Sequence, residues 1–426
     1  MSWNLYKKWF MYVILLYLGG ATVFTRYKMV SPQVDVGSVI AIVFFIPVVF
    51  AVFKRKINYR GFFLLLLFAA VWTILQCCKW GNVEIYSSLL WDLFAGFVIC
   101  NFYKEDIFYY YEICISKLCR IAIVLWLLSW LLPFFPQLLI WLTPNWINAL
   151  EESNILIFGL QPDYFSDALL FRRNCGFAWE PGRFASLISI AIFFNLVRTR
   201  FSVQNSNFKI LLIALLSTQS TTGFSILITI IFAYLYNMNR KYFLPACIFS
   251  SLIVLVLSSL PFMNEKISSL WITKSHNIEF ENKVSYWTLQ NGETYVPQRF
   301  DGLLWEFYNI KQDPLLGYGK NISRSFTGET FNNKLVLYNG CLKVISILGI
   351  FWGLFYYIAC FWGSAYYAKV FRFKGAFFAV LIFIEMNVSY PFQFEPVFLA
   401  MFFMPIYLRR NLRKEYLEKS NNNSTV

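Results

Sequence analysis

Long apolar runs separated by short polar or basic connections recur along the whole chain. Such runs predict membrane-spanning α-helices, because about 20 apolar residues are needed to cross the hydrocarbon layer as a helix. We therefore expect an all-α polytopic membrane protein in which residues 1–426 form a single integral membrane domain. The pattern predicts about 12 spans, at residues 9–24, 36–53, 61–75, 85–100, 121–141, 184–197, 210–216, 224–236, 242–260, 344–362, 376–386 and 392–408.

Lysines and arginines cluster on every second connection between these runs. Because basic residues accumulate on the cytoplasmic side of membrane proteins, the alternation predicts that both termini are cytoplasmic. The last residues, about 409–426, then form a cytoplasmic tail, and two long external loops remain at about 142–183 and 261–343. The basic groups are Lys7/Lys8, Lys54-Arg55-Lys56 with Arg60, Lys117/Arg120, Arg198/Arg200, Arg240/Lys241, Lys369/Arg372/Lys374 and Arg409/Arg410/Arg413/Lys414.

The composition separates this chain from ordinary soluble proteins. It is 58% hydrophobic and only 14% charged, with a mean hydropathy of +0.54, which is unlike soluble domains. A net charge of +14 can indicate nucleic-acid binding. Here the basic residues flank apolar runs, so we expect membrane lipids as partners and no nucleic acid. The nine cysteines show no metal-ligand spacing and are interpreted as small buried hydrophobes.

The first external loop ends in an arginine-rich stretch, FRRNCGFAWEPGRF, at residues 171–184. Arginine close to hydrocarbon is costly unless it meets an anion, and a guanidinium can bind a phosphate through two parallel hydrogen bonds. The stretch therefore predicts a site for a phosphate-bearing substrate. The alternative is a capped helix start whose interfacial arginines contact lipid headgroups. The candidate residues are Arg172, Arg173, Gly176, Glu180, Pro181, Gly182 and Arg183.

The second external loop combines a helical pattern with a glycine-containing turn. Apolar spacing over residues 301–310 predicts a short amphipathic helix. The stretch PLLGYGKN at 314–321 predicts a turn whose glycines leave backbone N–H groups free as an anion nest; an ordinary turn is the alternative. The candidate residues of this loop are Arg299, Gly317, Gly319, Lys320, Tyr338 and Asn339, the last two just before an apolar run.

Polar residues also occur inside the apolar runs. The stretch STQSTTG at 217–223, with Ser220 as its candidate contact, either joins helices by hydrogen bonds or forms a broken helix at the floor of a cavity. The lone carboxylates Asp92 and Glu385 indicate either function or a structural cation partner. His276 has no ligand-spaced companion, so we expect no catalytic role for it.

Several motifs are absent from the sequence. It contains no GxxxxGK[ST], no GxGxxG that opens a helix, no HExxH and no DxD-type acidic motif. Nucleotide-driven transport and metal-dependent transfer from a nucleotide sugar therefore lose support. We expect no cofactor and no metal ligands.

The order of the remaining motifs resembles the bacterial O-antigen ligase and polymerase family of membrane glycosyltransferases. An R-x-x-G stretch precedes EPG at a helix start, between Arg173 and Gly182, and a serine/threonine–glycine hairpin follows at 220–223. An arginine then precedes a helix centred on tryptophan and a PLLGxG turn, over 299–319, and Asn339 precedes a glycine-bearing helix. The family's GxxG spacing is replaced by GxxxG at Gly349 and Gly353.

The resemblance implies a GT-C-like fold, with short helices in the two external loops, and a metal-independent reaction on a polyprenyl-pyrophosphate-linked glycan. It implies that Arg173 and Arg299 bind the pyrophosphate, supported by Arg172 and Lys320. Ligases of the family carry a histidine where this chain has Tyr338 and Asn339. The difference favours a polymerase and leaves the general base unassigned. Glu180 is the candidate by position, either as the base or as a residue that orients an arginine.

The sequence thus leads to one functional expectation and two alternatives. We expect a polymerase that joins lipid-linked oligosaccharide repeat units on the outer face of a bacterial inner membrane. Its partners would be the lipid-linked donor and acceptor, together with a flippase and a chain-length regulator of the same pathway. The alternatives are an O-antigen ligase, which transfers glycan to another acceptor, and a lipid-linked glycan flippase or transporter.

Overall fold

The structure is a computed structural model that describes most of the chain, and most of the described residues are helical. It describes residues 2–18, 36–55, 59–81, 87–132, 134–135, 154–155, 158–161, 173–178, 180–238, 299–319, 321–331 and 340–408, with isolated residues at 241, 244–245, 248, 252, 333, 335 and 337.

The helices of the first half are long, and the second half contains several short ones. They are α1 (Trp3–Val13, continued by a π-helical turn at Ile14–Leu18), α2 (Val36–Phe53), α3 (Arg60–Trp80), α4 (Ser87–Tyr103), α5 (Asp106–Leu131), α6 (Pro181–Arg198), α7 (Ser206–Ser217), α8 (Thr221–Met238), α9 (Arg299–Gln312), α10 (Phe326–Thr330), α11 (Lys343–Leu348), α12 (Ile350–Phe371), α13 (Phe377–Ser389), α14 (Pro396–Phe402) and α15 (Met404–Leu408). Short 3-10 turns lie at Ile322–Arg324 and Phe392–Phe394.

Three described helices are long and apolar enough to cross a membrane: α3, α5 and α8. Shorter apolar helices lie at Ile42–Phe53, Leu89–Tyr103, Ser206–Ser217 and Phe377–Val388. This fits an all-α membrane protein. The number of 12 spans remains a prediction, and most of the expected span at 242–260 lies outside the described residues.

One predicted connection and two predicted continuous spans are wrong. Lys117 and Arg120 lie inside α5 rather than between helices, and the true connection is at residues 104–105. The run at 344–362 is broken between α11 and α12 by Gly349, whose φ is +83°. The run at 392–408 is divided into a 3-10 turn, α14 and α15. Hydropathy alone does not detect a local backbone break or exposed charges within a helix.

The two long loops that were predicted to be external are only partly as expected in their described residues. The second loop contains the predicted amphipathic helix, α9, which confirms that prediction with two extra residues at each end. In its described residues, the first loop contains a three-stranded antiparallel sheet that was not predicted, with strands β1 (Asn154–Ile155), β2 (Phe158–Gln161) and β3 (Arg173–Gly176). Strands β2 and β3 pair Leu160 with Asn174 and Gln161 with Arg173.

The core is continuous and rich in aromatic contacts. Phe62 of α3 stacks on Phe97 of α4 at a centroid distance of 4.0 Å, and Phe383 of α13 meets Phe402 of α14 at 3.9 Å. A smaller cluster around Trp305 packs beneath α9 with Phe331. The aromatic residues thus account for much of the packing between helices, where they bury large areas.

Polar contacts gather at the two ends of the helix bundle. At one end, Lys7 pairs with Asp106 (Nζ–Oδ2 3.0 Å), and Tyr366 donates a hydrogen bond to Glu105 (2.7 Å). We call this the basic end, comprising residues 4–8, 54–55, 59–60, 101–112, 195–207 and 366–374. The opposite end contains the described final residues of the two long predicted loops; we call it the loop end, comprising residues 76–81, 173–178, 180–185, 217–225, 306–319, 340–349 and 385–393. Several predicted cytoplasmic basic groups therefore share one end.

Candidate functional site

Arg173 lies on β3 at the loop end and is held by main-chain carbonyls. Its Nε donates to Thr218 O (3.2 Å) and its Nη2 to Gln219 O (3.0 Å). Gln219 has a φ of +47°, a strained value for a residue with a side chain. The guanidinium thus supports the tight turn between α7 and α8, and it stands half-buried at the loop end.

The strand that carries Arg173 is fixed by its neighbours. Asn174 donates through Nδ2 to Ser217 Oγ (2.9 Å), and its Oδ1 accepts from Gly176 N. Gly176 has a φ of +54°, and a Cβ there would meet the ring of Phe184 at 2.3 Å. Because Gly176 has no side chain, β3 can pack closely against the first turn of α6.

Glu180 and Arg183 form an ion pair at the start of α6. Arg183 Nε lies 3.3 Å from Glu180 Oε2, and only 1% of the arginine side chain is exposed. Its guanidinium lies 4.1 Å from the ring centroid of Tyr390, at the end of α13, a distance that suits a cation–π interaction. Glu180 is the N-cap residue by position, but its side chain accepts no capping bond. The geometry favours its role in orienting Arg183.

Ser220 begins α8 in the manner of an N-cap residue. Its Oγ accepts from Gly223 N (3.3 Å), which satisfies one of the unpaired N–H groups of the first turn. A Cβ at Gly223 would lie 2.8 Å from the Cβ of Ala185, so α8 packs closely on α6. Residues 217–223 thus form a helix–turn–helix connection and agree with the interpretation as a joint between helices.

Arg299 is the first residue of α9. Glu306 follows seven residues later, which places it on the same face of the helix about 10 Å along the axis. The side chain of Glu306 is fully buried and accepts from Lys343 of α11 (Nζ–Oε1 2.9 Å). Asn309 donates to its second oxygen at 3.3 Å. The face of α9 that carries Glu306 therefore packs on the start of α11.

Lys343 is charged despite its burial. Burial lowers its pKa, but the Glu306 carboxylate and the Tyr318 hydroxyl oppose this effect, and the net pKa is raised above the ordinary lysine value. The ammonium lies 5.6 Å from the ring centroid of Tyr318. Sequence reasoning missed this pair, since its members come from segments 37 residues apart. The one available signal was a lysine directly before an apolar run.

In the turn at 314–319, the backbone N–H groups of three consecutive residues already donate hydrogen bonds to backbone carbonyls. Gly317 N donates to Asp313 O, Tyr318 N to Ser346 O and Gly319 N to Ile347 O, at 2.9 to 3.1 Å. A Cβ at Gly317, where φ is +69°, would lie 2.5 Å from the backbone of Ile347. The anion-nest interpretation is therefore wrong for these amides, because Gly317 N binds Asp313 O within the turn and the other two bind carbonyls near the end of α11. The glycines dock this turn on α11.

Four candidate residues lie outside the described part of the chain: Arg172, Lys320, Tyr338 and Asn339. The side chain of Arg299 is likewise outside it. Contact between Arg173 and Arg299 on one anion thus stays a prediction. Among the described residues, no three His, Cys, Asp or Glu side chains are grouped as metal ligands would be.

The loop end brings the buried Arg183 and the mostly buried Lys343 to either side of one chain segment. Arg183 stacks on Tyr390, and the next residue, Pro391, packs against Gly340, where a Cβ would lie 2.5 Å from its Cα. Lys343 N donates to Gly340 O (3.2 Å). The short segment after α13 therefore links the arginine-rich start of α6 to the Lys343–Glu306 pair. Fixed cations at the edge of an apolar bundle can stabilise an anion that approaches from the membrane surface.

Comparison with known proteins finds no family model, no curated protein and no solved structure that matches the chain.

Proposed function

We propose that this protein is a metal-independent membrane glycosyltransferase that joins polyprenyl-pyrophosphate-linked oligosaccharide repeat units into O-antigen or a related surface polysaccharide. The observation that carries the proposal is the loop end, where Arg183 is buried and Lys343 is 14% exposed, both beside the segment after α13, and where Arg173 is fixed on two carbonyls. Buried, preoriented cations suit a leaving group that carries a diphosphate. The apolar helices around them suit a substrate that carries a lipid tail.

In the proposed reaction, the donor pyrophosphate binds Arg173 and Arg299, with Arg172 and Lys320 in support. A hydroxyl of a second lipid-linked repeat unit attacks the anomeric carbon of the donor, and the lipid pyrophosphate departs. The guanidiniums stabilise the charge that develops on the leaving oxygen. Arg173 does so without reorganisation, because the carbonyls of Thr218 and Gln219 already hold its guanidinium. Tyr338 and Asn339 contact the glycan, while Gly176, Ser220, Gly317 and Gly319 hold the surrounding backbone.

The proposal requires a defined orientation in a bacterial inner membrane. Both termini and the basic end would be cytoplasmic, and the loop end would face outward, where a flippase delivers the lipid-linked glycan and a chain-length regulator acts on the product. Single cysteines placed at about 142–183 or 261–343 should react with an impermeant thiol reagent in intact cells. Cysteines at the basic end should react only after lysis. A cytoplasmic location of either loop would contradict the mechanism.

The decisive experiment is elongation by the purified protein. Proteoliposomes that contain the wild type and a fluorescent polyprenyl-pyrophosphate oligosaccharide should form a ladder of longer lipid-linked products without nucleotide and in the presence of a metal chelator. Transfer of glycan only to an added lipid A-core acceptor would favour the ligase alternative. Movement of the unchanged lipid across the bilayer would favour the flippase. Absence of any new glycosidic bond would contradict the polymerase.

A further inference from the structure

Glu385 is a carboxylate inside an apolar helix, α13, at the loop end. Its Oε1 accepts from Thr229 (2.9 Å) and from Ser225 (3.4 Å), both on α8. Its Oε2 is buried and has no hydrogen-bond partner among the residues that the structure describes. No described lysine, arginine or histidine pairs with it. A half-satisfied carboxyl in a membrane helix is costly, which indicates a use for its second oxygen.

Two sets of contacts place Glu385 below Arg183. Along α13, Glu385 lies four residues before the last helical residue, Ser389, so it is about 6 Å below the end of the helix. The next residue, Tyr390, contacts Arg183. Across the helices, Ala185 of α6 contacts Gly223 of α8. Ser225 follows two residues later and donates to Glu385. The carboxyl is therefore one turn deeper in the bundle than Arg183.

The surroundings of Glu385 open sideways rather than toward the core. Ser225 is exposed and Glu385 is partly exposed. Leu381, one turn earlier on the same face of α13, is 41% exposed. These two polar side chains therefore lie at the side of the bundle, a position that suits an approach from the bilayer by the first sugars of a lipid-linked glycan.

We propose that Glu385 is the general base of the reaction and accepts the proton of the acceptor hydroxyl; this rests on the proposed polymerase function. In this step the acceptor O–H proton passes to Oε2, and the acceptor oxygen forms the new bond to the anomeric carbon. The bond from that carbon to the pyrophosphate oxygen breaks, and its electron pair leaves with the lipid pyrophosphate. The proton later passes to water. Ser225 and Thr229 position the carboxyl through Oε1, and Glu180 orients Arg183.

The test compares Glu385→Gln with the wild type in the elongation assay and in a separate donor-binding assay. Loss of a general base should slow elongation by about 100-fold or more, while the affinity for a nonreactive polyprenyl-pyrophosphate analogue stays unchanged. The matched control is Glu329→Gln, which alters an exposed carboxylate of the second external loop that binds Gln312. Its elongation rate should stay within about twofold of the wild type.

Each result decides the proposal. Elongation by Glu385→Gln at the wild-type rate would overturn the role of Glu385 and leave the polymerase function standing. A wild type that forms no glycosidic bond would overturn the polymerase function itself. If the glutamine variant does not insert into membranes, Thr229→Val keeps the carboxylate and removes its shorter hydrogen bond. That variant should elongate more slowly with unchanged donor affinity, and a wild-type rate in it would count against the proposal.

Discussion

Glu112 and Glu385 are both carboxylates within apolar helices, but they lie at opposite ends of the bundle and differ in their partners. Glu112 of α5 is fully buried, and Arg198 donates to both of its oxygens (2.8 and 3.0 Å). Asn195 and Asn207 also donate to Oε1, at 2.6 and 3.3 Å. Glu385 receives only two hydroxyl donors, both on Oε1.

The difference separates a structural charge from a reactive one. The network around Glu112 joins α5, α6 and α7 and leaves neither carboxylate oxygen to a ligand. Fully satisfied buried networks rigidify a fold. At the loop end, Glu385 keeps an oxygen for another group, below the buried Arg183. Under the proposed function, the fully bonded Glu112 belongs to the scaffold and the incompletely bonded Glu385 belongs to the reaction site.

The largest expected effect is that of Lys343→Met at the loop end. Glu306 would remain fully buried without its cation, which costs roughly 3–5 kcal/mol in comparable buried pairs. The variant should unfold at a much lower temperature in detergent than the wild type. The control is Lys311→Met, whose lysine is exposed at the end of α9. Equal melting temperatures for Lys343→Met and the wild type would show that the pair does not hold α9 on α11.

The pH dependence of that difference follows from the raised pKa of Lys343. Because its folded-state pKa lies above the ordinary value of 10.5, the stabilisation is fully present below about pH 10 and is lost as the pH rises through the folded pKa. The melting difference between the wild type and Lys343→Met should thus be constant near neutrality and shrink in strong alkali. A difference that changes near neutral pH would indicate another titrating group.

A smaller effect is expected from Arg198→Met at the basic end. Glu112 would lose its cation but keep two amide donors, and Arg198 is 30% exposed in the wild type. The stability loss should therefore fall near or below the lower limit of roughly 3–5 kcal/mol for a broken buried pair. The elongation rate per correctly folded molecule should remain normal, which separates this end from the loop end. Lys117→Met, at an exposed position on α5, is the control.

If instead Arg198→Met eliminates elongation in well-folded protein, the division between scaffold and reactive end is wrong. The double variant Glu112→Gln with Arg198→Met sharpens the test. It removes both charges, so it should recover part of the stability that the single variant loses.

Arg173→Lys and Arg299→Lys should impair elongation without a comparable loss of stability. Lysine keeps the charge but lacks the planar guanidinium with its parallel N–H donors. At position 173 it cannot donate to both carbonyls of the α7–α8 turn in the way that arginine does. Each charged hydrogen bond lost is worth roughly 1.5–3 kcal/mol, about 10- to 150-fold in rate. If both arginines bind one pyrophosphate, the double variant should lose less than the product of the single losses. Normal glycan ladders from either variant would contradict this site.

The sequence predicted those parts of the molecule that depend on local pattern. The bounds of α2 match the predicted run at 36–53, and Pro181 begins α6 as expected from EPG. The sheet of the first loop was missed because its strands contain only two to four residues, too few for a periodic signal. The partners of Glu385 lie 156 and 160 residues away. Such long-range contacts decide which charged side chains have hydrogen-bond partners, and they cannot be predicted from the local sequence pattern.

The smallest expected effect is that of Glu180→Gln. Glu180 is 31% exposed on its side chain and pairs with Arg183 at 3.3 Å, whereas Arg183 is also held against Tyr390. Loss of a partly exposed ion pair costs about 1 kcal/mol or less, and glutamine can still accept a hydrogen bond from the guanidinium. Elongation should therefore fall only severalfold, with unchanged donor affinity. A complete loss of turnover in well-folded Glu180→Gln would transfer the role of general base from Glu385 to Glu180, because only a group that takes the proton should be so sensitive to this exchange.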